Sequence, residues 1–542
     1  MLRGIKKGLS FFICLAVLLS VGATIPAKAL TAETVKNVII LIPDGMSLDG
    51  TTLARWYKGG QPLAMDEMAS GLVRTYSSDA PIADSAPAGT AFATGYKSHT
   101  GYIGVLPDVA SMPGLTPIKK GDEKKPVATI LEGAKLAGKA TGIISTSEVM
   151  HATPAAFTSH YPSRKNYDAL SEQQVYNGID VVLGAGSKFL SSEYRKDKED
   201  LNTEVKNLGY DYVTNTAALK SSTSNKIWGM FSETSLAYDM DRDPAKEPSL
   251  AEMTKKAIDT LSKDEDGFFL MVEGSKIDWA AHANDPIGLI SDIIAFDDAV
   301  KVALNFAKAD GDTVVIVASD HGNGGISMGD SNTTSSYDKE PLSTFVDPLR
   351  KAKITGEGIE SKLNSDKSNI MEVMATYFGI ADLTEEEIRA IKDAKAGRLN
   401  STIGPLISKR ASIGWTTGGH TGEEVVLYSY SPGNIKQLRG TVENTYIAEY
   451  MAEVLGINLE EVNKKLFVPA RAAFEAKGAE LLWDDKDPNN PVVIVIKGSN
   501  VLKLPVYKNT AELNDKVIKI NGLTIHNGMK TFVPQEAIDL IK

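Results

Sequence analysis

Three short stretches of this chain are apolar along nearly their whole length, and each stops at residues that carry chemistry. Val38–Ile42 reads Val-Ile-Ile-Leu-Ile and breaks at Pro43-Asp44-Gly45. Phe268–Val272 runs into Glu273, and Thr313–Ala318 runs into Ser319-Asp320-His321-Gly322. A strand with one wet face alternates polar and apolar residues. Runs without alternation belong to strands covered on both faces, as in a parallel sheet between layers of helices. In such open sheets the ligand lies beyond the carboxyl ends of the strands. The runs therefore predict an α/β fold with Asp44, Glu273, Asp320 and His321 along one edge of its sheet.

The remaining chain fits that frame. Further strands are expected at Gly71–Ser77, Thr141–Ser145, 181–186 and Val425–Tyr428, and helices at Val127–Lys139, Leu250–Leu261, Ile290–Ala307 and Thr441–Leu455. The 181–186 run ends in glycines that lack the spacing of a dinucleotide fingerprint. Segment 191–243 is charged and reads as irregular. Asp278 and His282 are four residues apart, so on a helix they share a face. A carboxylate beside an imidazole suits zinc. The small-residue run Ala83-Asp84-Ser85-Ala86-Pro87 predicts a helix starting near Ser85. Its free N–H groups would suit an anion, and Ser85 there is either the N-cap or a nucleophile. His151 and Thr153 follow the end of a predicted strand, and Arg164 is either a surface charge or a bidentate phosphate clamp. Gly418-Gly419-His420-Thr421-Gly422 sets a histidine in a glycine loop. Four of the seven histidines, His151, His282, His321 and His420, fall in these segments, which favours one shared site over four unrelated positions. His99, His160 and His526 read as structural or surface residues.

Other segments set the domain plan. Residues 1–29 have a basic start (Arg3, Lys6, Lys7), an apolar run Phe11–Val21 and a small-residue Ala27-Lys28-Ala29 site, the pattern of a secretory leader. The single cysteine, Cys14, lies inside it, so the expected mature protein has no disulfide and no thiolate ligand. The expected destination is the cell surface or the medium of a bacterium. A net charge of −11 argues against nucleic acid as a dedicated partner. Residues 330–417 turn polar and read as an insertion, with helices expected at Asn369–Phe378 and Glu385–Lys395. Asp484–Pro491 reads as a linker to a small β-rich module at 485–542, leaving a main domain at 30–480.

Asp84-Ser85-Ala86, Glu273 to His282, Ser319-Asp320-His321 and Gly419-His420-Thr421-Gly422, in that order, resemble the alkaline phosphatase family from about Val38 to about Gly456. The tail, through Phe532-Val533-Pro534, faintly resembles the copper amine oxidase N-terminal type of module. The first resemblance implies a three-layer sandwich with a large, mostly parallel central sheet flanked by helices. It also implies hydrolysis of phosphate monoesters, with Ser85 as nucleophile and Arg164 as phosphate clamp. Two zinc ions and one magnesium ion are implied as cofactors. Asp278, His282 and His420 would hold the first zinc, Asp44, Asp320 and His321 the second, and Asp44, Thr153 and Glu273 the magnesium. His151 stands where some members have Asp, and Trp279 where some have Lys; both, with Asp84, are expected in the outer shell of the site. The histidine predicts a third metal position less strictly selective for magnesium. Members are often homodimers, and the tail is expected to contact the cell wall or another surface. A phosphodiesterase or sulfatase-type relative stays open as an alternative, although Ser85 is not in a Cys/Ser-x-Pro-x-Arg setting. So does a surface binding module without catalysis.

Overall fold

The computed structural model describes residues 33–542. The expected leader, with Cys14, lies outside the described residues. Eight strands carry the main chain trace: β1 (Asn37–Ile42), β2 (Ala69–Arg74), β3 (Ala140–Glu148), β4 (Val181–Ala185), β5 (Asp211–Val213), β6 (Ile227–Met230), β7 (Phe268–Glu273) and β8 (Thr313–Ala318). With Val425–Tyr430 and Gly440–Glu443 they form a ten-stranded sheet. Its order is Gly440–Glu443, β2, Val425–Tyr430, β8, β1, β7, β3, β4, β6, β5. From β8 to β5 every neighbouring pair is parallel, while Val425–Tyr430 is antiparallel to both of its neighbours.

The three unbroken apolar runs are the centre of this sheet, and all residues of β1, β7 and β8 are buried. Alternate residues of a strand point to opposite faces. Ile39, Leu41, Leu270, Val272, Val315 and Val317 pack with the helices Leu250–Leu261 and Pro286–Asp310 on one side. Val38, Ile40, Ile42, Phe269, Met271, Val314 and Ile316 pack with Ser85–Thr94, Ile130–Leu136 and Asn444–Leu455 on the other. The result is the three-layer sandwich expected.

Several expected elements change. Segment 191–243 is not irregular throughout: β5, β6 and the helix Leu201–Asn207 lie in it and extend the sheet. These strands are three and four residues long, too short for a clear period. Thr441 to Glu443 belong to an edge strand, and the helix begins at Asn444. The 330–417 insertion is folded onto the sheet's flank, with Leu349, Ile359, Phe378 and Ile403 in the same apolar cluster as the strands. Besides the two helices expected there, it has Leu342–Arg350 and Asn400–Arg410. Each contains a proline, Pro348 or Pro405, the residue that normally argues against a helix interior.

At the carboxyl terminus, Glu480–Asp484, Val492–Lys497, Asn500–Pro505, Thr510–Leu513 and Lys516–Lys519 form an antiparallel five-stranded sheet with its own apolar core. The Asp484–Pro491 segment is therefore not a linker: it joins two strands paired from Glu480–Ile496 to Asp484–Val492. Its Asp-Asn-Pro composition serves a hairpin loop as well as a linker. No described helix is long and apolar enough to cross a membrane.

Candidate metal centre and nucleophile

The carboxyl ends of β1, β7 and β8 lie side by side, and the sequence just beyond each supplies the site. Asp44 follows β1 through a turn whose Gly45 has φ +69°. A Cβ on Gly45 would stand 2.6 Å from Asp278 Oδ1, so the close approach of these two segments needs glycine. Glu273 ends β7, and the helix Lys276–His282 carries Asp278 and His282 back over the strand ends. Asp320 and His321 leave β8. His420 arrives on a two-residue strand paired to Gly322–Asn323.

Ser85 opens the helix Ser85–Thr94, and Asp84, not Ser85, is the N-cap residue. The serine hydroxyl is thereby free of a capping role. Ser85 Oγ lies 3.1 Å from His321 Nε2, which is itself 3.1 Å from Asp320 Oδ2 and 3.6 Å from Asp44 Oδ1. On the outer side, His282 Nε2 is 3.4 Å from Asp278 Oδ2 and 3.2 Å from His420 Nε2. His420 stacks on His321 with ring centres 3.6 Å apart.

Each of these three histidines donates Nδ1–H to a backbone carbonyl: His282 to Gly418 (2.8 Å), His420 to Ala83 (2.7 Å) and His321 to Gly322 (3.3 Å). That fixes the tautomer and turns every Nε2 lone pair into the site, the hydrogen bonding by which metal-binding histidines are oriented. The carboxylates are short of partners. Both oxygens of Asp44, Oδ2 of Asp320 and Oε1 of Glu273 are buried without a hydrogen bond, as is the Thr153 hydroxyl. Buried oxygens left unpaired at this density fit hard divalent cations, and the Nε2 donors beside them fit zinc. Two ligand groups with donor atoms within 4.8 Å of one another, Asp44–Asp320–His321 and Asp278–His321–His420, coincide with this edge. A third, Asp44–His151–Glu273, brings His151 in.

The electrostatics reflect the crowding. Burial, then Asp320, Asp278 and Glu273, push Asp44 well above the usual carboxylate range. Burial pushes Glu273 up to about 7, against a hydrogen bond from Ser145 Oγ at 2.8 Å. Asp320 resists its burial because His321 and the Gly45 amide (3.1 Å) hold it below the usual range. His151 is pushed down to about 3 by burial and by Arg164.

Arg164 enters from the side of Ser85. Its guanidinium donates to Asp84 Oδ1 and, at 3.0 Å, to His151 Nε2. Trp279 meets the His151 ring edge-on, with centres 6.1 Å apart. These contacts bring Asp44, Asp278, His282, Asp320, His321, His420, Ser85, Asp84, Arg164, His151 and Trp279 together with Glu273, while among the described residues no hydrogen bond ties the Thr153 hydroxyl to them. His99, His160 and His526 stand apart: His160 is buried against Glu132 (3.0 Å), and His526 lies in the carboxyl-terminal module. Three supporting residues were not foreseen. Asn323 donates to Asp278 Oδ1 at 2.6 Å, and Ser145 and Ser275 share a hydrogen bond of 3.0 Å beside Glu273. Ser145 ends a predicted strand, so the strand-end rule that found Glu273 points to it as well.

Comparison with known proteins assigns the family and the fold. The alkaline phosphatase family model matches residues 35–457, and the copper amine oxidase N-terminal domain model matches residues 450–540. Alkaline phosphatase 4 of Bacillus subtilis is 38% identical over 451 residues, which cover 79% of this chain and 90% of that protein. The crystal structure of Thermus thermophilus alkaline phosphatase is similar with a TM-score of 0.70 at 28% identity, covering 79% of this chain and 93% of its own. A histidine-to-aspartate mutant of the alkaline phosphatase of the Antarctic bacterium TAB5, with Mg bound in the M3 site, gives a TM-score of 0.56 at 27% identity, covering 79% and 99%.

Proposed function

The chain belongs to the alkaline phosphatase family, a metal-binding phosphatase by its relatives, and we propose that it hydrolyses phosphate monoesters at alkaline pH through a phosphoserine on Ser85. The observation that carries this reading is Ser85 Oγ, uncapped at a helix start and 3.1 Å from His321 Nε2, beside carboxylate oxygens that have no protein partner. Asp278, His282 and His420 would hold one zinc; Asp44, Asp320 and His321 a second; Asp44, Thr153 and Glu273 a magnesium. Bound there, the zinc ions supply Lewis acidity that lowers the pKa of a hydroxyl or water and stabilises the departing alkoxide. Ser85 Oγ forms a new bond to phosphorus as the ester P–O bond breaks and the alcohol leaves. Water then cleaves the phosphoserine and releases inorganic phosphate. Arg164 donates to two non-bridging oxygens, with Asp84 and His151 holding its guanidinium in plane.

His151 bears on the third metal. Its donor atom comes within reach of Asp44 and Glu273, and its Nδ1 is buried without a partner. A nitrogen donor at a magnesium position relaxes selectivity toward zinc. His151→Asp should sharpen the preference for magnesium, the pairing seen in the TAB5 mutant; metal analysis in excess zinc checks it. The leader-like start supports export, and the carboxyl-terminal module supports contact with a cell surface.

The test is a paired rate assay on zinc- and magnesium-loaded protein with an aryl phosphate monoester and the matching diester at alkaline pH. The monoester should be strongly preferred, and Ser85→Ala should lower its turnover by roughly a thousandfold or more. Unchanged turnover in Ser85→Ala rejects the nucleophile. A diester preference would replace the substrate class.

A further inference from the structure

The helix Lys276–His282, which carries Asp278 and His282, begins with a lysine that has no solvent exposure at all. Its ammonium lies 4.5 Å from the ring centre of Trp279, one turn along the same helix, and 4.2 Å from that of Tyr238. Its counter-ion comes from the insertion: Glu357 places its two carboxylate oxygens 3.2 and 3.4 Å from Lys276 Nζ. The insertion is tied down at the same place. Thr355 donates through its backbone N–H (2.9 Å) and its hydroxyl to Asp241, and Asn400 donates to the Tyr238 hydroxyl at 3.3 Å. On its other side Trp279 abuts His151, and His151 Nε2 accepts a hydrogen bond from Arg164.

We propose that Lys276 is a positioning residue for the phosphate clamp, and that Glu357 makes the insertion a working part of the active site. A buried ammonium between two aromatic faces fixes both rings through cation–π attraction, which strengthens as water is excluded. Trp279 is held at one angle, Trp279 limits His151, and His151 sets one of the two anchors of Arg164. Glu357, half-exposed itself, is the carboxylate that faces the buried Lys276 ammonium. This inference rests on Arg164 being the clamp.

The experiment compares Lys276→Met, Lys276→Arg, Glu357→Gln and Arg164→Ala in metal-loaded full-length protein. It measures KM and kcat for an aryl phosphate monoester, inorganic phosphate binding by calorimetry, and zinc content. Lys276→Met should weaken phosphate binding and raise KM by about fivefold, with kcat and zinc content held within about twofold. Lys276→Arg should recover most of the loss, and Glu357→Gln should show a smaller shift of the same kind. The double variant Lys276→Met/Glu357→Gln, which leaves no unpaired charge, checks that effects do not come from misfolding; it should match Lys276→Met. If Arg164→Ala weakens phosphate binding while Lys276→Met does not, the positioning role is overturned and the clamp stands. If Lys276→Met loses zinc in step with activity, the lysine serves the helix fold and the proposal is wrong. Phosphate binding unchanged in Arg164→Ala would remove the clamp and this inference with it.

Discussion

Among the described residues, the acidic clusters at the strand ends and on the flank are treated in opposite ways. At the strand ends, Asp44, Asp320, Asp278 and Glu273 crowd together, with several oxygens left without partners. On the flank, Glu172, Asp197 and Glu199 bring donor oxygens within 4.8 Å of one another, which is also metal-ligand spacing. That second cluster is met by cations of the protein itself, although Glu199 Oε2 has no hydrogen-bond partner. Buried Arg195 binds Asp197 through Nε at 3.0 Å and approaches Glu172 at 3.8 Å. Lys508, from the carboxyl-terminal module, lies 2.8 Å from Glu199 and 3.7 Å from Glu172. Acid spacing alone therefore does not mark a metal site. What distinguishes the two is whether the chain delivers cations of its own. The strand-end cluster keeps several oxygens without a protein partner, whereas Arg195 and, from the carboxyl-terminal module, Lys508 meet the flank cluster as a latch.

The sharpest test removes one charge from each cluster. Asp44→Asn, in the group shared by two proposed metal positions, should lower kcat/KM for a phosphate monoester by roughly a thousandfold or more. Glu199→Gln should leave it within about twofold, because nothing in the flank cluster touches Ser85 or Arg164. A steady-state assay on both variants decides this, and equal losses would erase the distinction.

Next in size is the latch. Lys508→Met leaves the carboxylates facing Arg195 alone, and should lower Tm by a few degrees without changing kcat. It should also turn the latch into what it resembles. Added calcium should restore the Tm of Lys508→Met, and do nothing of the kind for the native chain at this cluster, because lysine already occupies the position. Calorimetric scans with and without calcium separate the cases.

The smallest effect is in pH. Burial pushes Glu172 up to about 8 from its usual 4.5, with Lys508 and Arg195 opposing. A carboxyl whose folded pKa is raised penalises the fold when ionised, so this group costs stability above about pH 8. That penalty fades as pH falls toward the ordinary value. Between about pH 9 and pH 6 its contribution should therefore raise Tm on acidification by a degree or so, and Glu172→Gln should flatten that part of the curve. A steeper dependence in Glu172→Gln would reverse the assignment.

The contrast also shows how far the sequence could be read. The strand-end cluster was legible because each of its carboxylates is announced locally, by an unbroken apolar run or by helical spacing to a histidine. Asp44, Glu273, Asp320 and His321 needed only the rule that parallel strands end at the site. The latch was not legible. Glu172 lies inside a helix, Arg195 and Glu199 lie in a charged segment read as irregular, and Lys508 follows a module strand. Nothing in those local contexts distinguishes them from solvated surface charge. The same holds for Lys276 and Glu357, and for the insertion helices that Pro348 and Pro405 disguised.

Hydrophobic period and the residues at its breaks determined, from the sequence alone, the layered α/β class, the buried parallel centre and the strand-end placement of Asp44, Glu273, Asp320 and His321. Those signals are local, set by which side chains must leave water. Tertiary structure alone decided which distant groups meet. Ser85 meets His321 across 236 residues, His282 meets His420 across 138, and Lys508 reaches Glu199 across 309. Strand order and domain docking make these pairings. Both depend on how whole faces pack, and no short stretch of chain carries that information.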